Sequence, residues 1–174
     1  ALAILSRTGT DGRRLIGGFM LVAASLSMWM TNTSTTMMLM PIALSVVGVV
    51  LAHVDGLTEK TKNNFQTAML LGLAFAATIG GLATLVGTPT NALLAAFVQE
   101  SYGIEISFLR WMMVGVPITM LMLPLAWLIL TRWVYAVDIP ASKAAQDHLL
   151  DLKHNMGSIT LPEKRVALIF GLVI

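Results

Sequence analysis

The 174-residue chain contains no cysteine and little charge: Asp, Glu, Lys and Arg make up 11% of it, where a soluble domain carries roughly a quarter. Without cysteine, disulfide frameworks and thiolate metal or redox sites are excluded. Three windows, Leu15 to Ala52, Phe65 to Gln99 and Trp111 to Thr131, lack Asp, Glu, Lys, Arg and His altogether. No Ser-His-Asp, paired-carboxylate or zinc-spaced constellation appears, which argues against an enzyme. The formal net charge is only +2 and the basic residues lie at helix ends, so nucleic acid is not an expected partner.

What is present is apolar sequence, 56% of the chain. A bilayer core needs about 20 apolar residues per spanning helix, and each charge-free window meets or exceeds that. The composition predicts an all-α, multi-pass membrane protein of the cell membrane (the inner membrane if bacterial), in contact with lipid. The chain opens inside an apolar stretch, Ala1 to Leu5, without the charged n-region of a signal peptide, and closes on "VALIFGLVI". The expectation is a fragment of a longer protein.

After an interfacial or cytoplasmic lead-in, 1–14, two runs of about 16 residues, Leu15 to Met30 and Met37 to Ala52, flank the polar patch Thr31 to Thr36 in "SMWMTNTSTTMMLMPIA". As helix each run covers roughly 24 Å of a core about 30 Å thick. One reading is a re-entrant helical hairpin over 15–52 with its tip at 31–36, a non-helical tip being tolerated where it is buried in protein or lines a water-filled cavity. The other is two thin spans joined by a turn. A cytoplasmic connector, 53–64, precedes a transmembrane helix over 65–101 interrupted by "IGGLATLVGTPTN". Glycine and proline there predict a first half to about Leu85, an unwound centre at 87–91, and a second half starting near Pro89 with Thr88 as N-cap. A kinked continuous helix is the alternative.

The run 108–135 predicts a further spanning helix, bent at Pro117 and Pro124, with Trp111, Trp133 and Tyr135 as interfacial anchors. A cytoplasmic linker, 136–165, contains the amphipathic candidate "SKAAQDHLLDLKHN", and 166–174 begins another membrane helix. Arg and Lys gather around the hairpin base and after the long helix, so "ESYGIEIS" is expected outside.

A hydroxyl or amide in hydrocarbon without a partner costs on the order of 2 to 7 kcal/mol. The two polar interruptions are therefore expected to meet. At such a tip one helix ends in carbonyls with partial negative charge and the next begins with amides of partial positive charge, so a cation and an anion can lie side by side. Midplane sites of this kind mark secondary transporters. The windows hold no Lys or Arg to neutralise an anion and no carboxylate or His for a proton relay, which leaves sodium coupling or exchange. The methionines around the patch read as flexible packing, and His53, His148 and His154 are assigned no role.

"SLSMWMTNTSTTMMLMPIA" resembles the hairpin-tip signature of the divalent-anion:sodium symporter family, usually Ser-Asn-Thr, and "GGLATLVGTPTN" resembles its paired unwound-helix motif. The resemblance implies the re-entrant reading and an inverted-repeat homodimer of the full-length chain. It implies elevator-type transport of dicarboxylate, citrate or sulfate with sodium, this chain being most of the first repeat. By position it places Ser27, Thr31, Asn32 and Gly87 around sodium, and Asn32, Thr33, Thr88 and Pro89 at half of the anion site. Thr31 departs from the serine of the usual motif, which bears on sodium coupling. A sodium-independent exchanger of the same fold, or an arsenite-type permease or channel, is the alternative.

Overall fold

The computed structural model describes residues 11–54, 56–140, 165 and 168. Among these residues five complete α-helices follow one another: α1 Gly12–Ser27, α2 Asn32–Ala52, α3 Glu59–Gly81, α4 Pro89–Tyr102 and α5 Phe108–Leu128, the last continuing into a π-helical turn, Ile129–Val134. No strand occurs among the described residues. The expectations for 1–10, for "SKAAQDHLLDLKHN" and for the helix start at 166–174 fall outside what is described.

Helices α1, α2, α3 and α5 begin where a side chain caps the first turn. The Asp11 carboxylate accepts from the amides of Arg13 and Arg14, at 2.9 and 3.5 Å, and so starts α1 at Gly12, three residues before the apolar run. Thr58 accepts from the Thr61 amide and starts α3 at Glu59, well inside the expected connector. Side-chain oxygens satisfy amides that the first helical turn cannot. A window defined by absence of charge misses both polar first turns.

The core forms between α1 and α3. Leu15, Ile16, Phe19, Met20, Ala23 and Ala24 face Phe65, Ala68, Met69, Leu73 and Ala76, all buried. The two helices run in the same direction, in step: a Cβ at Gly72 would touch Ile16 and Met20, and one at Gly80 would land on the Ala24 backbone. On α2 the buried stripe Thr35, Leu39, Ala43, Val46, Val47 and Val50 recurs at helical spacing and packs mainly on α3.

Helix α5 runs back along this pair. Thr119 Oγ1 donates to the Ile79 carbonyl at 3.1 Å, and farther along Trp127 Nε1 donates to the Arg13 carbonyl at 2.8 Å. The segment after the π-turn is tied to the start of the bundle, with Asn64 Nδ2 on the Tyr135 carbonyl and Arg13 Nε on the Val137 carbonyl, both at 2.6 Å. Pro117 and Pro124 lie inside α5 without ending it. By contrast α4 stands apart, with Asn91 its one buried residue.

Among the described residues two stretches are long and apolar enough to cross a membrane, Asn32–Ala52 and Phe108–Val134, each with mean hydropathy 2.1. Their large exposed side chains, among them Met37, Leu44, Met113, Met120 and Leu121, are apolar. Such surfaces suit lipid or further protein rather than water.

Candidate ion and anion site

Both helix breaks differ in extent from the sequence expectation. Between α1 and α2 the turn spans 28–31, and the polar residues Asn32 to Thr36 already form the first turns of α2. Thr31 is the reason: its hydroxyl accepts from the Ser34 amide at 3.3 Å and donates to Ser34 Oγ at 2.8 Å, so the helix can begin at once. Short polar side chains, which read as non-helical in a run, are here the cap itself.

The second break opens at Gly81 rather than near Leu85, and the non-helical segment is 82–88 rather than 87–91. Pro89 to Asn91 are helical. Pro89 takes the first helical position, where its missing N–H costs nothing. Thr88 stands at the N-cap in extended conformation, but its side chain makes no capping bond. The tip lies against the last residue of α3: a Cβ at Gly81 would strike the Asn32 carboxamide.

These two irregular segments lie against each other. Ser27 Oγ donates to Asn32 Oδ1 at 2.8 Å, across the tip. Thr84 Oγ1 donates to the Met28 carbonyl at 2.5 Å and accepts from the Gly87 amide at 3.0 Å, so one buried hydroxyl joins tip and break. Gly87 is close enough that a Cβ would meet the carbonyl oxygens of Gly81 and Ser27. Asn91 Nδ2 donates to the carbonyls of Gly81 and Thr84, at 2.9 and 2.8 Å. Trp111, expected as an interfacial anchor, donates its indole N–H to the Leu82 carbonyl at 3.0 Å.

Of the sequence-derived candidates, Ser27, Asn32 and Gly87 converge. Thr31 is exposed and its hydroxyl is engaged in the α2 cap. Thr33 and Pro89 are exposed and Thr88 is half-buried, at the N-terminal ends of α2 and α4. Sequence reasoning passed over Thr84 and Asn91, which are 0% and 5% exposed. The signal was present in Asn91, a carboxamide at the close of a Gly-Thr-Pro turn; Thr84 offered only a hydroxyl between two glycines.

The chemistry follows from the donor set. Ser27 Oγ, Asn32 Oδ1 and the carbonyls of Ser27, Gly81 and Thr84 are neutral hard oxygens, the kind that hard cations take. A bare cluster of His or carboxylates is not needed, and none is found among the described residues. The Ser27 hydroxyl can turn its proton away and present a lone pair. Among the described residues Asn32 Nδ2 has no partner, and at the start of α2 the amides of Asn32 and Thr33 lack intrahelical acceptors, so donors suited to an anion stand on the same turn.

A membrane chain without strands among its described residues, whose two helix breaks meet at such a cluster, has the build of a polytopic transporter. The chain belongs to the citrate transporter family, which matches residues 1–174. It is 34% identical over 172 residues to the sodium-dependent dicarboxylate transporter SdcS of Staphylococcus saprophyticus, covering 98% of this chain and 33% of that protein. It is 32% identical over 173 residues to SdcS of Staphylococcus aureus, covering 99% of this chain and 33% of that one. The chain thus spans about a third of the length of the curated relatives it matches.

Proposed function

We propose that this chain forms most of the first repeat of a secondary active transporter that moves small divalent anions together with sodium. The observation that carries the reading is the junction of Ser27, Asn32, Gly81 and Gly87, where the tip and the helix break contribute oxygen donors and free amides within one cluster. Relatives named sodium-dependent dicarboxylate transporters favour a dicarboxylate, and the family description favours citrate, over sulfate.

In this reading α1, the 28–31 turn and α2 form a re-entrant hairpin. Sodium, a co-transported substrate, is held by Ser27, Asn32 and the Gly87 backbone, with Thr31 contributing at the edge. The anion takes its donors from Asn32 and Thr33 and from the start of α4 at Thr88 and Pro89, with the second half-site supplied by an inverted repeat. A homodimer with elevator-type movement follows from the family resemblance. With no Lys or Arg in the site, bound sodium supplies the positive charge that an anion needs, which couples the two substrates.

The test is uptake of labelled C4 dicarboxylate and citrate by proteoliposomes holding the full-length transporter, with and without an inward sodium gradient. Saturable, sodium-dependent uptake is expected. Counter-anion-driven flux indifferent to sodium means an exchanger, and non-saturating flux means an arsenite-type permease or channel.

A further inference from the structure

Among the described residues a single hydrogen bond crosses from the turn at 28–31 to the break at 82–88, and Thr84 makes it. Its Oγ1 donates to the Met28 carbonyl at 2.5 Å and accepts from the Gly87 amide at 3.0 Å. The threonine is 0% exposed. A hydroxyl has one proton to donate, and here a backbone carbonyl takes it. Thr84 is thus not presented to a ligand; it acts on the two groups it holds.

These two groups adjoin the proposed sodium ligands. Met28 follows Ser27 in the chain, and Gly87 is the contribution of the break. Thr84 is itself held from behind, since its carbonyl accepts from Asn91 Nδ2 at 2.8 Å while the same carboxamide takes the Gly81 carbonyl at 2.9 Å. Its position is therefore fixed against the end of α3 and the start of α4. Helical threonines in this chain turn their hydroxyls onto the carbonyl four residues back, as Thr36, Thr78 and Thr131 do. Thr84 stands beyond the end of α3 and reaches a different segment instead. Branching at Cβ restricts χ1, which makes the reach a stiff one.

We infer that Thr84 is a positioning residue for the cation: by holding Met28 and Gly87 on one oxygen it sets the spacing of tip and break, and with it the affinity for sodium. The inference rests on the transport reading, in which Ser27 and Asn32 lie on one side of sodium and the Gly87 backbone on the other. Packing limits that spacing in one direction only. The close approach of Gly87 to the Gly81 and Ser27 carbonyls stops the segments from moving nearer, and the Thr84 bridge resists their moving apart. Groups behind the ligands that fix their orientation weigh on cation affinity almost as the ligands do, and losing one typically lowers it about 10- to 100-fold.

The experiment measures uptake of labelled C4 dicarboxylate against sodium concentration by the full-length transporter in proteoliposomes. Thr84→Val keeps the shape and removes both bonds. It should raise the sodium concentration for half-maximal uptake about tenfold or more, with uptake at saturating sodium close to parental. Thr84→Ser keeps the hydroxyl and should restore the parental curve. Thr131→Val, which removes a buried hydroxyl from the Trp127 carbonyl in the π-turn, is the control for a lost internal bond and should leave the sodium curve in place. Should the valine form not fold, Thr84→Cys, whose sulfur is a weak donor and acceptor, must show the shift in smaller measure. A Thr84→Val curve superimposed on the parent's, or an equal shift in Thr131→Val, overturns the role of Thr84 and leaves the transport reading standing. A parent indifferent to sodium overturns both.

Discussion

Ser27 closes α1 and Asn32 opens α2, and the hydroxyl of the first donates to the carboxamide oxygen of the second across 2.8 Å. The bond orients Asn32 so that its oxygen faces Ser27 and its Nδ2 stays free of the other described residues. A fully buried serine thereby sets the direction of the half-buried side chain on which both substrates are proposed to depend.

Asn32→Ala is expected to abolish sodium-coupled uptake while membrane insertion and expression persist. Ser27→Ala should be milder, weakening sodium affinity and costing about 1 kcal/mol in stability through the lost hydrogen bond. Uptake by reconstituted variants at matched protein amounts checks both; near-parental uptake by Asn32→Ala would remove the tip from the site.

Thr31 carries two separable roles, cap and proposed sodium ligand. Thr31→Val should lose about 0.5–2 kcal/mol of stability through the cap alone. If the hydroxyl also ligands sodium, apparent anion affinity falls about 5- to 150-fold at low sodium and recovers as sodium is raised. Thr31→Ser retains both roles. The measurement is anion uptake against sodium concentration beside a thermal midpoint for each form; a lowered midpoint with superimposable sodium curves leaves Thr31 as a cap only.

Asn91 holds two carbonyl oxygens of the break with one amide group. Asn91→Leu leaves both buried and unpaired, an expected loss of about 1–3 kcal/mol. Asn91→Asp should lose more, because it sets a carboxylate against carbonyl oxygens. Thermal unfolding of the purified full-length protein gives the ranking, parent above Leu above Asp.

Gly80→Ala should be among the most damaging single-methyl additions in the chain, since its Cβ would fall on Ala24 backbone rather than on a side chain that can turn aside. Forcing α1 and α3 apart costs roughly 1–3 kcal/mol or more. Gly48→Ala, with open space around it, is the control and should hold or slightly raise the thermal midpoint.

Much of the architecture was legible because hydrocarbon penalises unpaired polar groups: the two polar interruptions announced themselves by standing in charge-free sequence, and the long helix by its length. The helix bounds were less so. Glu59 to Asn64 look like a loop by charge, yet Thr58 caps them into helix. The end of α3 at Gly81 lies against Asn32, forty-nine positions away in the chain, and no local signal reports such contact. Asn91 and Thr84 escaped for a related reason: their work is to bond backbone carbonyls of irregular segments, and those carbonyls have no letter in the sequence. Thr31 presents the reverse case, a residue drawn toward the site by its place in a motif while its hydroxyl is engaged by its own helix.

At Gly80 the α3 backbone rests on the α1 backbone with no side chain between them. Helices separated by a layer of side chains can slide as rotamers give way, but two main chains in direct contact interlock like gear teeth. The tip beyond Ala24 and the break beyond Gly81 are therefore held at main-chain distance, and any side chain added at position 80 would change the spacing of the cluster they share.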